Sequence, residues 1–411
     1  MNSMESDLFG LALGIEEPVY IEEVIFEGEK GELHIRMNFR RGGKFSCSDC
    51  GQEALAVAET REKKWRHLNF FQYKCYIHLR TPQTKCPRCG ERLWVPPWGR
   101  KQSGFTLLFE AFVMALAREM PVSRIGELVG EYDGRLWRIV GWHVGQAYQK
   151  KDFSAVKEVG MDETSCRKGH NYISVFADMD CGEVLFATPG KDESTIERFA
   201  QELPKHDATA QQISEVVMDM SPAFIAATAK HLPQASVTFD KFHVIQALNR
   251  AQDEVRRTEQ KDNPLLKRSR YVWLKNPENL NARQKETLES LRGQNLKTAK
   301  VYQMKLTFQD IYRYVMDVES AQKAIAKWLS WAVRSRLDPI KAFAKMLKAH
   351  MEGVLRYFQT RLTSGAMEGI NSRIQEIKRR ARGFRNINNF ISMIYLEASG
   401  LTLELPATTQ K

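Results

Sequence analysis

Seven cysteines stand at positions 47, 50, 75, 86, 89, 166 and 181, and four of them form two matched pairs, Cys47-x-x-Cys50 and Cys86-x-x-Cys89. Each pair is closed by a glycine, Gly51 and Gly90. This pattern constrains the chain more than any other. An odd cysteine count, behind a start that lacks a secretory signal, argues against a disulfide framework. Two such knuckles can instead deliver four thiolates to one tetrahedral Zn2+, and the glycines permit the tight turn each knuckle needs. Between the pairs, Tyr73-Lys74-Cys75-Tyr76-Ile77-His78-Leu79-Arg80 alternates in the manner of a strand. The expectation is a zinc ribbon ligated by Cys47, Cys50, Cys86 and Cys89. Two unrelated reduced pairs or a redox motif are the competing readings, and the matched spacing favours zinc. Cys75, Cys166 and Cys181 have no partner at ligand spacing and read as ordinary small side chains.

The same stretch is strongly basic. From Arg40 to Lys101 there are 14 Lys/Arg against 5 Asp/Glu, interleaved with Trp65, Phe70, Phe71, Tyr73, Tyr76, Trp94 and Trp98. A small zinc-held platform of this charge suits phosphate contacts, although a protein-binding ribbon with a solvated basic face has the same composition. The whole chain of 411 residues carries a net charge of +11, which makes a polyanion the leading partner. Its most apolar long stretch, Phe105 to Ala117, is interrupted by Glu110 and is too short to span a bilayer. A secreted or integral membrane protein is therefore not expected, and a cytoplasmic, DNA-associated one is.

The remaining periodicities divide the chain. Segments Val19 to Glu27 and Glu32 to Phe39 alternate around a Gly-Glu-Lys-Gly turn and predict a hairpin, which together with the ribbon fills 1–99. Residues 100–150 switch to helical spacing. A helix from Phe105 to Glu119, a short one capped by Ser123 and a third with Leu136, Ile139, Val140 and Val144 on one face suggest a helix-turn-helix. Arg135, Arg138, His143 and Gln146 are placed off the packed stripe, where they would face DNA; an ordinary three-helix packing unit is the equal alternative. Over 151–243, three short strands with turns at Cys166-Arg167-Lys168-Gly169 and Asp178 to Gly182 are followed by helix, strand, helix and strand. That is the order of an RNase H-like α/β core. Residues 244–362 read as an α-helical insertion, 363–400 as the final helices of the core, and 401–411 as a tail.

Three acidic residues stand out by position. Asp162 lies inside the first strand of this core, Asp219 ends the fourth, and Glu368 sits in Thr363-Ser364-Gly365-Ala366-Met367-Glu368, at the start of a helix that Ser364 would cap. In such a sheet the first and fourth strands are neighbours, and the last helix packs across them. The three carboxylates would therefore converge as hard oxygen ligands for two Mg2+ (or Mn2+) ions about 3.5–4 Å apart, the arrangement that activates water and stabilises a leaving oxygen in phosphodiester chemistry. Alternation puts Glu163 on the opposite face, and Asp240 is one strand further away and the weaker candidate. His243, in Asp-Lys-Phe-His-Val, would contact the scissile phosphate or orient water. The Glu368 helix has an apolar stripe of Met367, Ile370, Ile374 and Ile377 and a basic remainder of Arg373, Lys378, Arg379, Arg380, Arg382 and Arg385, suited to gripping a nucleic-acid backbone near the scissile bond.

Val-Gly-Met-Asp-Glu at 159–163, Asp-Met-Ser-Pro-Ala-Phe at 219–224, Asp-Lys-Phe-His-Val at 240–244 and Thr-Ser-Gly-Ala-Met-Glu-Gly-Ile-Asn at 363–371 resemble the DDE transposases of the bacterial insertion-sequence family L-three. The run Ile-Lys-Arg-Arg-Ala-Arg-Gly-Phe-Arg-Asn at 377–386 is similar too. The resemblance implies a zinc finger at the ribbon cysteines, an RNase H-like core with a helical insertion, and a triad of Asp162, Asp219 and Glu368 for Mg2+-dependent strand cleavage and transfer. Double-stranded terminal inverted repeats and target DNA are the implied partners, with at least a homodimer in the synaptic complex. A non-catalytic DNA-binding regulator and a structure-specific nuclease on the same fold are the alternatives.

Overall fold

The computed structural model describes residues 3–166, 172–362 and 365–406. The chain separates into two compact units, Met1–Ala147 with Thr402–Lys411, and Tyr148–Leu401. The elements of the first unit are α1 (Ser3–Leu13), β1 (Val19–Glu27), β2 (Glu32–Phe39), β3 (Lys44–Phe45), β4 (Leu55–Arg66), β5 (Lys74–Cys86), β6 (Gly90–Leu93), α2 (Leu107–Glu119), α3 (Val122–Val129) and α4 (Asp133–Gln149).

The predicted hairpin β1–β2 and the ribbon share one sheet, in the order β1-β2-β5-β4-β3, with β6 also on β5. The join is a parallel pairing of β2 with β5 that sets Leu33 beside Cys75, Ile35 beside Ile77 and Met37 beside Leu79. All six are buried in one cluster with Trp65. Alternate residues of two strands thus bury one face, each large side chain stabilising the unit by about 1.5–3 kcal/mol before entropy is counted. Cys75 belongs to this core. Helix α3 begins at Val122 after Pro121, so Ser123 lies inside it rather than at its cap, and the left-handed Gly130 ends it.

The second unit contains β7 (Glu158–Ser165), β8 (Tyr172–Asp178), β9 (Val184–Pro189), α5 (Glu193–Glu202), β10 (Glu215–Met218), α6 (Pro222–His231) and β11 (Ser236–Phe239). The helices α7 (Lys241–Asp262), α8 (Arg270–Leu274), α9 (Ala282–Arg292), α10 (Lys297–Tyr314), α11 (Val318–Arg334), α12 (Asp338–Ala349) and α13 (Met351–Thr360) follow, then α14 (Gly365–Arg380) and α15 (Ile387–Ala398). Its sheet runs β11-β10-β7-β8-β9, with β7, β10 and β11 parallel and β8 and β9 antiparallel. This is the RNase H-like order expected from the sequence. Val159, Met161, Val216 and Met218 bury one face against Ile196 and Phe199 of α5 and Phe224 of α6. On the other face α14 lies close to β7. A Cβ on Gly160 would run into Met179 Sδ and stand 2.8 Å from Met367 Cγ and Sδ, so both methionine side chains would have to shift to admit one.

The insertion has its own core around Phe308, Trp328, Phe343 and Phe358, continuous with Phe239 and Val244. Lys305 is fully buried beside it and donates to the backbone carbonyls of Trp273 and Leu274, both at 3.0 Å, meeting the orphan C=O groups at the end of α8. Among the described residues no helix is long and apolar enough to cross a membrane. The turn expected from Cys166 to Gly169 and the Ser364 cap fall on 167–171 and 363–364, outside the described residues.

Candidate functional site

The four ribbon cysteines come together: the sulfurs of Cys47, Cys50, Cys86 and Cys89 all lie within 4.8 Å of one another. Cys50 and Cys86 Sγ are 3.6 Å apart, close to the ~3.8 Å that four Zn–S bonds of about 2.3 Å impose in a tetrahedron. Gly51 and Gly90 take left-handed φ of 72° and 76°, as the knuckles require. Four thiols this close cannot all ionise unaided. Backbone N–H groups of Cys50 and Asp49 lower the Cys47 thiol to about 7, whereas hydrogen bonding to Cys50, with burial and the Cys47 sulfur adding to it, pushes Cys89 up to about 12. A divalent, soft cation resolves that conflict, so donor set and geometry both fit Zn2+.

Behind the ribbon, α2 to α4 form the helix-turn-helix, held by a charged residue that looked in the sequence like an interruption. Glu110 is fully buried. It accepts from Arg100 Nε at 2.7 Å, His143 Nε2 at 2.6 Å and Ser103 Oγ at 2.6 Å. Burial raises its carboxyl pKa, but the bonds from His143, Arg100 and Ser103 outweigh burial and hold it below the ordinary value. His143 is thus a core residue, correcting its expected place toward DNA. It continues the buried stripe Leu136, Ile139, Val140 and Val144 at helical spacing, and its polarity serves Glu110. Of the other expected contacts, Arg138 and Gln146 are exposed. Arg135 pairs with Glu131 and lies 4.3 Å from the Phe105 ring centroid.

In the second unit, strand register does what sequence separation hides. Val217 pairs with Gly160, so two residues on Asp219 stands level with Asp162. Met218 pairs with Phe239, so one residue on Asp219 stands level with Asp240. Register therefore sets three aspartates in one row across three adjacent parallel strands, with Asp219 and Asp240 just past the carboxyl ends of β10 and β11 and Asp162 within β7. This is where open α/β sheets bind ligands. A cavity of about 300 Å³ opens there, lined among others by Asp162, Asp240, His243, Glu368 and Asn371. His243 Nε2 lies 4.0 Å from Asp162 Oδ1 and 3.7 Å from Asp240 Oδ2. Asn371, one turn beyond Glu368 on α14, donates to Asp162 Oδ2 at 2.5 Å.

Asp219 is level with Asp162 but not among the lining residues. Its Oδ1 instead accepts from the Ser221 N–H at 2.9 Å. Among the described residues the acidic side chains are not gathered within the 4.8 Å that the cysteines meet. Two cations about 3.5–4 Å apart, each with ligands at about 2.0–2.1 Å, do not require their carboxylates to touch one another. The lining fits such ions on a further count: Asn371 Oδ1 is buried without a hydrogen-bond partner and adds a hard oxygen beside Asp162. Glu163, set aside by alternation, lies within electrostatic reach: burial first, then the Asp219 charge, raise its carboxyl pKa.

The basic residues of α14 divide. Lys378 donates to Ser165 O at 2.7 Å, Arg373 to Gly182 O at 2.9 Å, and Arg380 pairs with Glu397. These contacts, with Gln375 donating to Thr164 Oγ1 at 3.0 Å, tie the helix to the strand carrying Asp162 and its surroundings. Arg379 and Arg382 are exposed. Asn371 had no signal in the sequence; Asp240, the weaker candidate there, lines the cavity from its place one residue past a strand and at the cap of α7, as Asp219 is placed before α6.

Comparison with known proteins agrees with this architecture. Residues 44–90 match the zinc-finger model of the IS204/IS1001/IS1096/IS1165 transposases, residues 95–140 the helix-turn-helix domain of transposase family ISL3, and residues 159–394 the ISL3 transposase model itself. The transposase for insertion sequence element IS1001 of Bordetella parapertussis is 30% identical over 372 residues, covering 85% of this chain and 87% of that protein. The transposase for IS1557 of Mycobacterium tuberculosis is 26% identical over 97% of both. The catalytic core domain of BIV integrase matches 36% of this chain at 15% identity with a TM-score of 0.17, too loose to bear on the fold. With all three family segments in order along one chain, and the third alone spanning more than half of it, this chain belongs to the ISL3 (L-three) family of transposases.

Proposed function

We propose that the chain cuts and joins DNA at the ends of an insertion sequence. The first unit binds the double-stranded terminal inverted repeats, and Asp162, Asp219 and Glu368 form the metal-binding triad for hydrolysis and strand transfer. The observation that carries this reading is the joint lining of one cavity by Asp162, Glu368, Asp240 and His243. Divalent Mg2+ or Mn2+ bound there supplies Lewis acidity toward an attacking water or 3′-hydroxyl and toward the leaving oxygen.

The chain's own residues do the rest. Asp162 and Glu368 offer carboxylate oxygens from a strand and a helix that are tied together by the Asn371 and Gln375 bonds. Asp219, level with Asp162 on the adjacent strand, completes the set. His243 is within 4.0 Å of Asp162 and orients the attacking hydroxyl or contacts the phosphate. Arg379 and Arg382 hold the backbone beside the scissile bond, and Arg135, Arg138 and Gln146 approach the repeat. Two chains are needed to bring two ends together, so the working complex is a dimer or larger. The test is Asp162→Asn: cleavage of a duplex carrying the element's end is abolished while binding to it stays within about twofold. Undiminished cleavage by that variant would remove the triad assignment.

A further inference from the structure

A second cavity, of about 440 Å³, adjoins the carboxylate cavity, and Asp240, Phe242 and Glu368 line both. Its far side comes from the insertion, including Gln309 and Arg313 of α10, with Ile245 of α7 adding apolar surface. We propose that this pocket receives one unpaired nucleobase of the DNA strand being cut; the assignment rests on the cleavage reading above.

The lining selects the ligand. Phe242 is 51% exposed, a large aromatic at the mouth of a site for a charged polymer. Its ring is held edge-on to His243, with centroids 5.7 Å apart at 83°. A face presented this way suits stacking of a base, which every nucleobase permits whatever its sequence. Gln309 Oε1 is buried with no hydrogen-bond partner. A buried acceptor left unmet is costly, and it calls for an N–H donor. Base edges carry such donors, and phosphates and deoxyribose rings do not. The exposed Arg313, paired with Glu278 at 3.1 Å, stands at the pocket and can exchange that carboxylate for the phosphate flanking the base. Because the two cavities share Asp240, Phe242 and Glu368 as lining, a base in the second can belong to the strand held at the first. A base reaches it only by leaving the duplex stack.

The experiment uses the full chain and duplexes bearing the element's end, each lacking one base at a different position around the cleavage site. In Mg2+ we expect one position at which base removal slows wild-type cleavage about 10-fold, on the scale of one lost stacking contact. Phe242→Ala should slow cleavage of the intact duplex by a similar factor yet add nothing on that abasic duplex, and Phe242→Trp should restore the rate. Gln309→Leu should behave as Phe242→Ala does. A Phe242→Ala defect of equal size on every abasic duplex overturns the proposal. As a readout independent of cleavage, 2-aminopurine at that position, or scanned around the site, should brighten when the wild type binds in Ca2+. An unchanged signal at every position overturns it too. A wild type that binds the end but cuts nothing refutes the cleavage reading instead, and the fluorescence then decides the pocket alone.

Discussion

Replacing Glu110 by leucine should destabilise the first unit by about 3 kcal/mol. Removing one partner of a buried ion pair typically costs about 3–5 kcal/mol, because the remaining charge is left unpaired in a poor solvent. One feature sets the value at the lower end: the Arg100 side chain is 13% exposed and retains the Trp142 ring, 4.2 Å from its guanidinium carbon, as an alternative partner. For a unit of this size the loss corresponds to a fall of roughly 6–12 °C in melting temperature. Calorimetry of the full chain with saturating zinc reads it as a downward shift of one transition while the other stays in place. The sign of the pH dependence follows from the depressed carboxyl pKa: the Glu110 contribution is complete above the unfolded carboxyl value and is lost as pH falls through the lower folded one. The gap between wild type and variant should therefore close on acidification. A melting shift under about 2 °C at neutral pH, or a gap that widens in acid, would show that the network does not hold these helices together.

Three further outcomes follow from the same structure. Cys89→Ser should reduce bound zinc from one ion per chain to near none and unfold the ribbon, read by metal analysis and by loss of end binding. Gly160→Ala should slow cleavage more than its folding cost of about 1–3 kcal/mol explains, since the added methyl meets Met179 and also Met367, one residue before Glu368 on α14; a rate within twofold of wild type would count against that packing. His243→Ala should lower the single-turnover cleavage rate by about 10²–10⁴ at unchanged end affinity, and a parallel loss of affinity would indicate a role in binding alone.

Much of this was legible locally. The ribbon cysteines, the β1–β2 hairpin and the order of strands and helices in the second unit are all written in short-range spacing. The helix α14 shows its buried stripe of Met367, Ile370, Ile374 and Ile377 directly in its sequence. What escaped depends on partners far along the chain. Parallel pairing of β2 with β5 leaves no local signal, so hairpin and ribbon read as separate pieces. Glu110 read as a break in an apolar helix because Arg100 and His143, which accommodate it, lie on other elements; for the same reason His143 was assigned by polarity instead of by its place on the stripe. At the candidate site, sequence identified Asp162 and Glu368, which do line one cavity. Asp240, ranked behind them, lines the same cavity; strand order alone does not tell which side chains in a row turn inward. Asp219 turns to Ser221, and Asn371 acquires meaning only through Asp162, 209 residues earlier.

The central claim is that one set of carboxylates in the second unit carries out chemistry on DNA ends. Its most direct measurement is strand transfer: pre-cut ends with free 3′-hydroxyls, a target plasmid, and Mg2+, comparing the wild type with Glu368→Gln. The account predicts covalent joining of element 3′ ends to target by the wild type and none by the variant, with both binding the ends equally. Joining by the variant at the wild-type rate would contradict it.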